Sequence, residues 1–133
     1  MANLTITNND LGSVILKDAQ HADGLLTLAG ADTIVDGTIL AVDSSSLKYV
    51  LFVKGGSTNE NGIPKAVLTN EIVSTGAGDV YARPMISGEV RQERLVIDAD
   101  GDASNVDQAV KDQLRDYSIV AVSVTELNIL DNQ

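Results

Sequence analysis

Cysteine and tryptophan are absent from this chain, which has one phenylalanine, one histidine and two prolines. Without cysteine there is no disulfide framework and no thiolate metal site. With aromatics at 3%, the core must be filled by Val, Ile, Leu and Ala, a palette that favours strands. Positive charge is also scarce: nine Lys and Arg stand against 19 Asp and Glu, a formal net charge of −10. No Lys/Arg run overrides that mean, so a nucleic-acid partner is not expected. No apolar stretch approaches the ~18–20 residues a bilayer span needs, and no membrane association is expected. The N-terminus "MANLTITNND" has no basic region followed by an apolar run, so no signal peptide is expected.

What is present reads as one mainly β domain. Its 133 residues suit a single core, and 44% of them are hydrophobic. Residues 1–36 are low in charge, with short apolar pieces that lack a sustained period. Within them, 1–24 are read as an extended N-terminal arm and 25–133 as the β-rich domain. "GTILAVD" (37–43) and "LKYVLFV" (47–53) flank "SSS" (44–46), a β-hairpin pattern. After a polar turn at 54–62 come "IPKAVLTNEIV" (63–73), "VYARPMISGEV" (80–90) and "QERLVID" (92–98). Pro64 and Pro84 lack amide donors and belong at strand starts, edges or bulges. Gly88 inside a strand pattern suggests a bulge or a close backbone approach. The one convincing helix is 105–117, with Ser104 as N-cap and Val106, Ala109, Val110, Leu114 and Tyr117 on one face. Residues 118–130 close the chain as a long strand. The expected architecture is a small sandwich or barrel-like β fold with one late helix.

Two stretches imitate functional motifs. "TGAGD" (75–79) matches the anion-hole string of ribokinase-type sugar kinases, where a helix must follow immediately to supply its N-terminal amides. Here strand-forming residues and Pro84 follow, and no βαβ alternation is present, so the stretch reads as a turn. "DADGD" (98–102) begins like an EF-hand loop, but Ala103 and Ala109 stand where that loop needs Gly and a bidentate Glu. It reads as an acidic turn, with no metal and no cofactor expected. His21 has no cysteine to pair with, and Ser44, Ser45 and Ser46 lack the strained elbow of a hydrolase. Glu89 and Glu93 read as a solvated face. An enzymatic role is not expected.

The order of segments carries a resemblance. "LLTLAGADTIVDGTILAVDSSSLKYVLFV" followed by "IPKAVLTNEIVSTGAGDVYARPMISGEVRQERLVI" resembles the head decoration proteins of tailed phages. That family places a GT-apolar-L strand, a Ser-containing turn, a K-apolar-V strand, an A-V-L strand, a strand ending "SGEV", a late helix and a terminal strand in this order. The likeness covers roughly 25–124; the N-terminal arm, the turn at 54–62, the lack of Trp and the tail "ELNILDNQ" depart from it. It implies a homotrimer on threefold positions of the outer capsid surface, cementing the major capsid protein of a virion against internal DNA pressure. Leu4, Ile6, Leu11, Val14, Ile15 and Leu16, spread along the arm, are then the candidate capsid contacts, with strand addition as the mode. Two other classes fit the composition: a different virion component, such as a tail or baseplate part, and a carbohydrate-binding or adhesin-like module. The latter usually needs a Trp/Tyr platform, and only Tyr49, Tyr81 and Tyr117 are available.

Overall fold

A computed structural model describes residues 14–123, and it is mainly β, with 43% strand and 11% helix. Its strands are β1 (Ile15–His21), β2 (Gly24–Leu28), β3 (Asp32–Ile34), β4 (Ile39–Val42), β5 (Tyr49–Leu51), β6 (Ala66–Val67), β7 (Ile72–Ser74), β8 (Gly78–Ala82), β9 (Met85–Arg91) and β10 (Ile119–Val122). One helix, α1 (Gln108–Asp116), precedes β10. A curled sheet runs in the order β1-β9-β6-β4-β5-β2-β8, with β10 parallel to β9, and β3 pairs with β7 as a separate ribbon.

Strand β4 shows why the sheet curls around two cores. Ile39, Leu40 and Ala41 are all fully buried, so the "ILAV" run is apolar throughout, as a strand covered on both faces must be. Ile39 joins a cluster with Val14, Phe52, Val67, Met85, Val90, Leu95, Ile97, Val110, Leu114 and Ile119. Its neighbour Leu40 points the other way, into a second cluster with Leu26, Leu28, Ile34, Ala66, Leu68 and Ala82. The predicted hairpin is present: Leu40 faces Leu51 and Val42 faces Tyr49. Its turn is held by Asp43, whose carboxylate accepts from the Ser45 and Ser46 amides at 2.8 and 3.0 Å.

Glycine at 88 does make a bulge. Its φ is +127°, and a Cβ there would lie 2.7 Å from the Asp18 carbonyl oxygen. The parity of buried positions changes across it, from Met85 to Val90, and the β1–β9 register shifts three times.

Four expectations are corrected. Residues 14–24 are not an arm: β1 pairs along β9, Val14 is 1% exposed within the first cluster, and Gly24 already starts β2. The low charge and broken period of this stretch hid a strand kinked by Asp18, which sits at φ +58°. Segment 63–73 is not one strand; β6 and β7 join different sheets. The helix is shorter than expected, because Asp107 rather than Ser104 caps it, accepting from the Val110 amide at 3.1 Å. Ala109 is exposed, so the buried face is narrower than drawn, with Val110 and Leu114 at its centre. The last strand is described only as Ile119–Val122; the remainder of the predicted 118–130 lies outside the described residues.

Candidate functional site

The candidate contacts separate into two groups. Leu4, Ile6 and Leu11 lie outside the described residues. Val14 is core, Ile15 is half-buried against the same cluster, and Leu16 is half-buried on β1. Val14 is therefore spent on the domain's own packing, and Ile15 and Leu16 are spent on it in part. The main chain agrees, since the Arg91 amide donates to the Val14 carbonyl at 2.8 Å.

The imitation motifs resolve as turns. Residues 75–77 bend between β7 and β8, and a strand follows, not a helix. Asp79 is engaged structurally: it accepts from the Thr27 hydroxyl at 2.7 Å and from Lys48 Nζ at 2.6 Å, tying β2, β5's lead-in and β8 together. In the acidic turn, Asp102 accepts from the Ser104 amide, and Asp100 accepts from the Asn105 side chain. Among the described residues, no three His, Asp or Glu side chains are grouped to hold a metal ion. His21 Nε2 lies 3.3 Å from the Thr69 hydroxyl, and Glu89 lies 3.5 Å from Lys17.

These carboxylates give the fold an acid limit. The Lys48 hydrogen bond holds Asp79 below its ordinary value, and Lys54 does the same for Asp107. Backbone amides of Ser46 and Ser45 lower Asp43, and Ser104 lowers Asp102. Stability from such groups is fully present above the ordinary carboxylate pKa of 3.8 and is lost as pH falls through the lower folded values. Asp98 has the opposite sign: burial raises it, so its contribution improves on acidification. Four lowered groups oppose one raised group. Urea unfolding midpoints should thus be level from neutrality to about pH 5 and decline as pH falls below about 4, modestly because the lowered carboxylates are solvent-exposed.

Two surface features were missed by sequence reasoning. A cleft of about 810 Å³ lies between residues 53–56 and α1, lined by Val53, Lys54, Asp100, Asn105, Ala109 and Gln113. Lys54 bridges its rim, donating to Asp107 Oδ2 at 2.7 Å and to the Asn105 carbonyl at 3.0 Å. The second feature is a set of apolar side chains facing solvent. Tyr81 is 65% exposed and stands opposite Leu25, 42% exposed, on the outer face of β2 and β8. Leu47, 77% exposed at the hairpin tip, holds φ +63°, a conformation a leucine adopts only under constraint. The signal for Tyr81 and Leu25 was the alternation in "GLLTL" and "GDVYA", legible once strand pairing is known.

No protein-family model matches the chain, and no curated protein matches it in sequence.

Proposed function

We propose that the protein is a capsid decoration, or cement, protein that binds the major capsid protein on the outside of a phage head. It acts as homotrimers at threefold positions, without catalysis and without a cofactor. The observation that carries the reading is the ordered set of segments quoted above. "TILAV" contains β4, "YVLFV" contains β5, "AVL" contains β6, "SGEV" lies in β9, and a late helix then leads to a terminal strand. Each element is weak evidence alone, and the order is what supports the reading. The net charge of −10 suits an outer-surface protein that has no need of DNA. The first described strand, β1, lies at an edge of the sheet, and Leu4, Ile6 and Leu11, which precede it in the sequence, are the anchor in this reading, adding to a strand edge of the capsid subunit. Many copies on a lattice make weak individual contacts sufficient.

Electron microscopy of capsids stripped of their natural decoration and mixed with the purified protein tests this. Density at threefold positions is expected with the full chain and sharply reduced occupancy with residues 1–13 deleted. Bare capsids at saturating full-length protein would refute the role. Full occupancy by the deletion variant would move the anchor elsewhere.

A further inference from the structure

We infer that β8 is a self-pairing edge, joining two copies of this chain antiparallel about a twofold axis through Val80. This inference is independent of the capsid reading. Strand β8 ends the sheet, and among the described residues its only strand partner is β2. Among the described residues, no further main-chain hydrogen bond involves residues 78–82. The opposite edge of the sheet is protected in the usual ways: β1 carries Lys17 and Asp18, bends at the left-handed Asp18 and shifts register three times. By contrast, β8 is regular over five consecutive pairs with β2, and its one charge, Asp79, is already held by Lys48. A regular, unguarded edge beside exposed Tyr81 and Leu25 is a template for another strand.

The sequence of the edge selects its occupant. With Val80 on the axis, Gly78 faces Ala82 and Asp79 faces Tyr81, so all five residues pair and no like charges oppose one another. An axis through Asp79 would set the two Asp79 carboxylates against each other. An axis through Tyr81 would use only residues 80–82 and push Pro84, which has no amide to donate, against the partner's Gly78. The twofold through Val80 is thus the register that satisfies the strand. The contact is small, so the pair is weak and concentration-dependent.

Sedimentation equilibrium over a wide concentration range should show a single chain doubling in mass as concentration rises, or, if the smallest species holds three chains and so three β8 edges, that species associating further with others. Tyr81→Asp, which opposes Asp79 across the axis, is expected to weaken this association at least tenfold, while Tyr81→Lys, facing the same carboxylate, retains it. Both variants lose the Tyr81 hydroxyl's 2.8 Å bond to Asp23 and meet that carboxylate with opposite charge, so the two are compared in an Asp23→Asn background, where the difference between them reads the pairing. Because the chain has no cysteine, Val80→Cys should give an intermolecular disulfide under mild oxidation, well above the yield from Ser46→Cys. Absence of this association into the millimolar range overturns the inference. So does identical behaviour of the two Tyr81 variants, or preferential cross-linking of Tyr81→Cys over Val80→Cys.

Discussion

Deleting residues 1–24 is expected to unfold the protein, whereas deleting 1–13 is expected to leave it folded. The longer deletion removes β1, which covers one edge of β9 along Met85–Val90. It also removes Val14, 1% exposed among Phe52, Val90 and Ile119, and the half-buried Ile15 and Ala19. Burial of Val14 alone contributes about 1.5–3 kcal/mol, and the cavity left behind adds to the loss. Domains of this size are stable by about 5–15 kcal/mol in total, so a strand and its core residues take most of the margin. The shorter deletion keeps Val14 and all of β1. Far-UV circular dichroism and a thermal scan of both variants give the answer. A cooperative transition at the full-length midpoint in the 1–24 deletion would show that β1 is dispensable and restore the arm boundary expected from sequence.

Gly37→Ala is expected to be the most damaging single substitution of a small residue. Gly37 holds φ +89°, and a Cβ there would lie within 2 Å of the Arg94 carbonyl oxygen. Neither side can yield, because the segment is bonded on both. The Gly37 amide donates to Leu68 O at 2.6 Å, the Val96 amide donates to Gly37 O at 2.9 Å, and the Ile39 amide donates to Val96 O at 2.9 Å. Left-handed strain alone costs about 1–3 kcal/mol, and the clash with fixed backbone carries the total above about 4 kcal/mol. Gly55→Ala is the control. Its φ is +76°, but nothing lies within 4 Å of the added carbon, so only the strain is felt. Urea denaturation of the two variants separates the effects. Equal midpoints would mean that the segment at 37 relaxes freely and that the packing argument fails.

Much of the fold is legible in the residues because it depends on local chemistry. A scarcity of aromatics with abundant Val, Ile and Leu demands strands, and the 37–53 hairpin follows from two apolar runs around a turn whose Asp43 caps its own amides. "TGAGD" is a turn because strand formers follow it, and Gly88 is a bulge because a Cβ has no room there. The late helix was visible from Val110 and Leu114 at i, i+4, although its start was misplaced. Ser104 and Asp107 are both good caps, and only the position of Lys54, which pins Asp107 and the Asn105 carbonyl, settles the choice.

Tertiary structure alone decides the rest. Whether residues 14–21 are arm or strand depends on a partner, β9, some seventy residues away, and a kink at Asp18 erases the alternation that would announce it. Two buried faces make β4 uniformly apolar, so no period in "TILAV" could reveal that Ile39 and Leu40 serve different cores. Which strand ends the sheet is likewise a property of pairing. "GDVYA" reads the same whether its outer edge is covered or open, and only the strand order places Tyr81 and Leu25 beside an edge that no other described strand pairs with. Local preferences choose element types over a few residues, whereas register, edges and shared cores are set by contacts between segments far apart in the chain.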